Sequence, residues 1–389
     1  MNRKVVTTGG SQSDLRTANQ RRIIDALSTR GSLTQAEIAR LTGLAASTVS
    51  NIVSELASVK LIERKESLGG PHGQRIALVP SAGLVIGVEF GHRHLTIAIA
   101  NLAHEIVAEK RIDRPLNQQW NDDLVFLNST IDATVTEARI SRDDILIAGL
   151  ALPAPIDLDG RRISSAEVMT GWAGIDAVDE TEKALGIPVF LDNDANLGAV
   201  GEQIWGAAQG IDDLVYLKLS DGIGAGLVLG GNLYRGADGS AGEVGHTTID
   251  ERGAMCRCGN RGCLETVASV PAILQLMRPI FGPDITIRDI MQRAHEGNTA
   301  CIRVLEDTGR LVGMSLANLA NTVNPRVIVL GGTLAEAGDI LITPLRAVLS
   351  RYAVRGVAEN LEFRPAALGV RSHVLGAVSL ALNHAPTGA

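Results

Sequence analysis

Three of the four cysteines fall within eight residues, in the run Cys256-Arg-Cys258-Gly-Asn-Arg-Gly-Cys263. A loop this dense in thiols has few folded solutions. In a reducing compartment the spacing favours a metal over disulfides. One more ligand completes a tetrahedral Cys3His site, and His246 lies a short distance upstream. With His246, Cys256, Cys258 and Cys263 all bound, a zinc ion keeps no open position for a reactive water. It is therefore expected to be structural and to pin the loop. The fourth cysteine, Cys301, sits in a helical stretch and reads as a core residue.

The reducing compartment is itself an inference. No apolar run approaches the roughly 18 residues that would span a bilayer, and Met1 to Arg30 is polar, without the apolar core of a secretory signal. A cytoplasmic protein with no membrane partner is expected. At about 150 residues per domain, the 389 residues suggest two or three domains. With only 3% aromatics, their cores must be built from Ala, Val, Leu and Ile. The excess of Gly over Pro, 42 to 13, points to tight turns rather than disordered linkers.

Charge divides the chain. Residues 1–80 hold 11 Lys and Arg against 6 Asp and Glu, whereas the remainder holds 25 against 37. A basic head on an acidic body suggests a nucleic-acid-binding module. Within the head, Gln20 to Ser28 carries the apolar stripe Ile23, Ile24, Leu27. Thr34-Gln-Ala-Glu37 is a capping-box pattern ahead of Ile38 and Leu41. Gly43 supplies a turn. Val49, Ile52, Val53 and Leu56 then recur at helical spacing, which leaves Ser47, Thr48, Ser50, Asn51 and Ser54 outside. Short hydrogen-bonding side chains on such a face suit base edges and phosphates in a major groove. Leu61-Ile62 and Arg75 to Val79 read as strands around Gly69 to Gln74, a wing tipped with His72 and Arg75 that would approach the DNA backbone. A winged helix-turn-helix over residues 1–80 is expected, with double-stranded operator DNA as partner. Such heads bind as dimers to paired half-sites, and a homodimer or homotetramer satisfies that requirement.

Residues 81–389 read as two α/β halves, about 84–200 and 201–389. The first opens with strands at 84–89, 95–100 and 105–112, a helix over 122–139, and strands at 145–150 and 188–191. The second opens with strands at 214–219 and 226–229 around a glycine turn and closes with a strand at 327–330. The repeated pattern suggests a duplicated fold with a cleft between lobes.

Gly242-Glu-Val-Gly-His246 followed by the cysteine run resembles the signature of the ROK family, which joins repressors, open reading frames and sugar kinases. Leu152-Pro-Ala-Pro-Ile-Asp157, Asp192-Asn-Asp-Ala-Asn196 and Asn324-Pro-Arg-Val-Ile-Val-Leu-Gly-Gly332 look like further blocks of that family. The resemblance implies a duplicated actin/hexokinase-like α/β body. It also places zinc on the Cys3His set and a sugar on Asn193, Asp194, Glu243, His246 and Glu265. His246 would bind zinc through one ring nitrogen and face the sugar with the other. Asp194 matches the general base of the family's kinases.

The phosphate loops depart from the kinase pattern. The first reads Glu89-Phe-Gly91-His92-Arg93-His94, with His92 and Arg93 where a glycine and a threonine are expected. The second reads Ser220-Asp221-Gly222-Ile-Gly224-Ala-Gly226, with a carboxylate where phosphate would bind. Members with a winged-helix head resemble sugar-responsive transcriptional regulators. The expectation is a non-enzymatic repressor of carbohydrate genes, controlled by a sugar or sugar derivative. The alternative is an active ATP-dependent sugar kinase with a fused DNA-binding head.

Overall fold

The computed structural model describes residues 12–59, 61–65, 74–79, 83–114, 119–157, 159–163 and 169–385. The head comprises α1 (Gln12–Arg30), β1 (Leu33–Thr34), α2 (Gln35–Thr42), α3 (Ala46–Ser58), β2 (Ile62–Lys65) and β3 (Arg75–Leu78). The expected capping box is present. Thr34 Oγ1 accepts from Glu37 N at 3.3 Å, and Glu37 Oε2 accepts from Thr34 N at 2.8 Å. Gly43 ends α2 at φ 69°, left-handed backbone that glycine adopts without strain. Ile23, Leu27, Ile38, Val49, Ile52, Val53 and Leu56 are all buried together.

Two features of the head differ from expectation. The first helix begins at Gln12 rather than Gln20, because its polar first turns are held from outside: Arg16 pairs with Glu55 of α3 and Gln20 bonds the same carboxylate. In addition, β1 joins β3 and β2 to make a three-stranded sheet, with Thr34 serving both β1 and the α2 cap.

The body contains β4 (Leu84–Phe90), β5 (His94–Asn101), β6 (Ile106–Asp113), α4 (Trp120–Ala138), β7 (Ile145–Leu152), α5 (Ala177–Leu185), β8 (Val189–Asn193) and α6 (Asp194–Ile204). It continues with β9 (Leu214–Leu219), β10 (Ile223–Leu229), β11 (Asn232–Leu233), α7 (Glu265–Ala268), α8 (Val270–Phe281), α9 (Ile287–His295) and α10 (Thr299–Val323). Last come β12 (Val327–Gly331), α11 (Asp339–Tyr352), α12 (Arg355–Asn360), β13 (Glu362–Pro365) and α13 (Ser372–His384). The two five-stranded sheets have the orders β6-β5-β4-β7-β8 and β11-β10-β9-β12-β13. These are one topology used twice. In each, the first two strands form a hairpin and the fourth and fifth run parallel to the first.

The period-two alternation of the strands sorts the faces. Leu84, Ile86 and Val88 pack under α4 and α5, while Val85 and Ile147 face α13. In the second sheet Val215 and Leu217 pack under α8 to α11, whereas Leu214, Tyr216 and Val329 lie with Ala199 of α6. The helix that ends each half thus covers the other half's sheet: α6 lies on β9 and β10, and α13 lies on β4, β5, β7 and β8. The expected assignment of all of 201–389 to the second lobe is corrected here, because α13 returns to the first. The physical reason is a set of glycine notches. A Cβ on Gly87 would lie 2.5 Å from Val374 O, and one on Gly149 2.0 Å from Ala377 O. These glycines let α13 sit directly on the sheet. The head's apolar core is continuous with this α13-covered face.

Candidate functional site

The glycine hairpins, the 192–196 block and the cysteine loop meet in one cleft between the lobes, about 40 Å³ in volume. Asn193, Asp194, Glu243, His246 and Glu265 all line it. The chain brings Asp192 to the end of β8, where Arg235 and the Asn196 amide hold its carboxylate. Asn193 then caps α6: its Oδ1 accepts from Ala195 N at 2.8 Å and Asn196 N at 3.2 Å, and its Nδ2 donates to Ala154 O at 3.0 Å. That leaves Asn193 one amide hydrogen to spare. Asp194 follows in the first turn of α6, where the helix N-terminus favours a carboxylate. On the opposite wall Glu265 accepts from Ile223 N at 3.0 Å. Burial, with Glu265 and Asp194 nearby, pushes the Glu243 carboxyl up to about 7.

Three basic side chains line the cleft that sequence reasoning did not assign to it. Lys218 of β9 pairs with Asp194, and Arg257 pairs with Glu265 at 2.8 Å. His92 reaches the same space, and burial followed by Lys218 drops its pKa to about 4. A signal for Lys218 exists in the sequence, since it is the single charge in the apolar strand Leu214-Val-Tyr-Leu-Lys-Leu219. Arg257 gives no such signal, because its direction is set by the two cysteines that flank it.

The altered first hairpin is rebuilt around Glu89. That carboxylate is buried against His373 of α13 at 2.8 Å and His94 at 3.2 Å. Burial alone would raise its pKa, but the two imidazoles hold it well below the usual carboxylate range. His373 also meets Tyr216 of β9 at 3.0 Å, so this network ties both lobes to α13.

The ligand atoms of His246, Cys256, Cys258 and Cys263 lie within 4.8 Å of one another, and all four cysteines are free. His246 Nδ1 is 3.5 Å from Cys256 Sγ, while its Nε2 faces Glu243 Oε2 at 3.7 Å. The cluster fits a metal ion. Cys301 is fully buried in α10, apart from it.

On the head, Ser47, Ser50, Asn51 and Ser54 are exposed on α3 and Thr48 is half-buried. Arg75 is placed differently from expectation. It opens the central strand β3, and its guanidinium bonds Ser32 Oγ at 3.1 Å and Ser32 O. It is therefore not at a wing tip, because strand pairing with Thr34 and Lys65 fixes it in the sheet. Gly69 to Gly73, including His72, lie outside the described residues.

A winged helix-turn-helix joined to a duplicated two-lobed α/β body, with a cleft at the lobe junction, defines a DNA-binding head on a sugar-kinase-like body. The chain belongs to the ROK family, whose profile matches residues 85–384, and a MarR family profile matches residues 14–70. The xylose repressor of Bacillus subtilis (strain 168) is 28% identical over 379 residues, covering 96% of this chain and 97% of that protein. A glucokinase of Halalkalibacterium halodurans is 34% identical over 308 residues, 75% of this chain and 92% of that protein. A solved ROK transcriptional regulator, a homologue of the E. coli MLC protein, superposes with a TM-score of 0.82 at 25% identity, covering 95% of this chain and 97% of that one. The similarity to the repressor and the regulator runs through the head, whereas the match to the glucokinase spans a smaller part of this chain.

Proposed function

We propose that this chain is a cytoplasmic, sugar-responsive transcriptional repressor of carbohydrate genes. Residues 1–80 read operator DNA, and residues 81–389 sense a sugar or sugar derivative through lobes of about 84–200 and 201–389, with α13 returned to the first. The observation that carries the reading is the convergence of Asn193, Asp194, Glu243, His246 and Glu265 on one cleft, in a chain that also presents a small polar recognition face. On that face Ser47, Thr48, Ser50 and Asn51 read base edges. Ala45 offers no side chain to cap α3, which leaves its first amides for a phosphate oxygen. Arg75 acts by stiffening the wing through Ser32. A homodimer or homotetramer presents two heads to paired half-sites.

Zinc is the metal that fits the Cys3His set. Tetrahedral thiolates at a Zn–S distance of about 2.3 Å stand about 3.8 Å apart, and Cys258 Sγ and Cys263 Sγ are separated by 3.7 Å. The ion would fix His246 with Nε2 toward the cleft and hold Arg257 against Glu265. Its role is structural.

Ligand sites for small molecules usually enclose about 300–1,000 Å³, far more than this cleft offers. A sugar is therefore admitted only if Lys218 and Arg257 move or the lobes part. Parting of the lobes repositions α6 and α13, and α13 is continuous with the head's core. The effector thus favours one lobe arrangement, and about 1–3 kcal/mol of coupling suffices to lower operator affinity. Phosphoryl transfer is absent from this reading. Asp194 is paired with Lys218, and Glu89 is committed to two histidines.

The test is operator binding by fluorescence anisotropy, on sites selected from genomic fragments, with a monosaccharide panel. Loss of binding with one sugar is expected. Operator affinity unmoved by every sugar overturns induction, and ATP-dependent turnover lost in Asp194→Asn establishes the kinase reading instead.

A further inference from the structure

The three thiols of the metal cluster are not equally protected. Cys256 and Cys263 are buried, whereas Cys258 is exposed. Cys258 stands at the tip of a hairpin closed by the Met255–Arg261 bridge, with Cys256 N donating to Asn260 O at 2.7 Å. Gly259 follows at φ 89°, and nothing lies within 4 Å of an added Cβ there, so the turn has room to tighten. The Cys258 and Cys263 sulfurs are 3.7 Å apart, and a disulfide of about 2.05 Å needs them only about 1.7 Å closer. The Cys256 sulfur stands instead 3.5 Å from His246 Nδ1. The other side of this loop is the sugar cleft. Arg257, between two of the cysteines, reaches Glu265 at 2.8 Å, and Arg257, His246 and Glu265 all line the cleft.

We propose that Cys258 and Cys263 are a peroxide-oxidisable pair whose disulfide releases the metal and unfastens Arg257 and His246 from the cleft. The proposal rests on the zinc reading above. A metal-bound cysteine is deprotonated outright, and the thiolate is the form that peroxide oxidises. All three cysteines share that chemistry, and exposure singles out Cys258 as the one hydrogen peroxide meets first. The Cys258 thiolate attacks one peroxide oxygen, the O–O bond breaks, hydroxide leaves, and Cys258 becomes a sulfenic acid. The Cys263 thiolate then attacks the Cys258 sulfur, the S–O bond breaks, a second hydroxide leaves, and the S–S bond forms. Two thiolates lose two electrons, peroxide gains them, and two solvent protons turn the hydroxides into water. His246 and Cys256 are then the remaining ligands, too few for a four-coordinate structural site. The oxidation state of this loop thereby governs the cleft residues it aims.

The test treats the zinc-loaded full-length protein with hydrogen peroxide beside a chromogenic zinc chelator, read against an untreated sample. Trypsin cleaves after Arg257 and Arg261, which puts Cys256, Cys258 and Cys263 on separate peptides, so mass spectrometry without reduction identifies the pairing. Expected are release of the bound zinc together with a Cys258–Cys263 link, both reversed by dithiothreitol and added zinc. Cys301→Ala and Met255→Leu, which remove the buried fourth thiol and an exposed sulfur beside the cluster, should release zinc as the parent does. Cys258→His keeps a fourth ligand, a Cys2His2 set that zinc accepts, and should hold the metal against peroxide. Zinc retained while peroxide oxidises only Met255, zinc released with a different pairing or none, or parental release from Cys258→His overturns the proposal. Zinc content measured before peroxide is added keeps the two readings apart: protein that never held zinc refutes the metal reading and this proposal with it, whereas zinc held and not released refutes this proposal alone.

Discussion

Gly376 lies where α13 crosses α6, and Gly376→Ala probes the packing that joins the lobes. An added Cβ would sit 1.8 Å from Leu197 O and 2.5 Å from Leu197 C. The obstacle is helix backbone, which has no rotamer to escape into. Restoring an ordinary contact of about 3.4 Å requires the two helices to separate by about 1.5 Å across an interior packed at crystal-like density. Helix propensity works the other way, since Ala is favoured over Gly by about 1 kcal/mol in a helix interior. Overpacking typically costs about 1–3 kcal/mol, and a fixed backbone obstacle puts this site at or above the top of that range. The expected net loss is about 2 kcal/mol or more. Gly356→Ala on α12 is the control: nothing lies within 4 Å of its added Cβ, so only the propensity gain remains. The assay is urea unfolding followed by tryptophan fluorescence. Trp205 at the end of α6 donates to Ser379 Oγ of α13 at 2.6 Å and reports on the crossing itself. If Gly376→Ala unfolds at or above the parent's midpoint, as Gly356→Ala should, the close-crossing argument is wrong.

Thr34→Ala removes the α2 capping box and should cost about 1 kcal/mol in a head-unfolding measurement, with little change in the body. Asn51→Ala should weaken operator binding by about 1–3 kcal/mol and relax sequence preference at one base step; uniform weakening across sequences would assign it to phosphate instead. Prolonged chelation should remove one zinc per chain, measured by atomic emission, lower the melting temperature and abolish the sugar response, and Cys258→Ser should reproduce all three. Burial holds the His104 pKa down at about 4 against an ordinary 6.5. The folded state then binds the proton less readily than the unfolded state. This contribution to stability is complete above about pH 6.5 and is lost as pH falls toward 4. His104→Asn, which tolerates the φ of 65° at that turn, should flatten the fall in the urea midpoint; an unchanged profile would remove His104 as its source.

Most of the head and the strand order within each half were legible because they depend on local patterns. The stripe Val49, Ile52, Val53, Leu56 fixes the buried face of α3, and Thr34 with Glu37 fixes where α2 starts. The runs at 84–89 and 214–219 mark the first strand of each sheet. The five cleft residues were legible through family blocks that keep carboxylates and imidazoles beside glycines. Lys218, Arg257 and His92 were missed as cleft residues for a different reason. Lys218 of β9 meets Asp194 of α6, Arg257 is aimed by the cysteine loop, and His92 enters from the other lobe's hairpin, and no periodicity encodes those meetings. Arg75 was misplaced because its position was judged from the wing's sequence, whereas pairing with Thr34 and Lys65 draws it into the sheet.

By itself the sequence determined what short-range chemistry decides: a polar recognition helix, two strand-rich halves, and a thiol cluster whose spacing suits a metal. Only the tertiary structure decided the exchange of α6 and α13 between sheets, since a glycine notch has meaning only against the helix that fills it. It also decided that Lys218 and Arg257 meet Asp194 and Glu265 in one cleft. The helix exchange joins residues hundreds of positions apart, such as Gly87 and Val374, where packing rather than local propensity selects the partner.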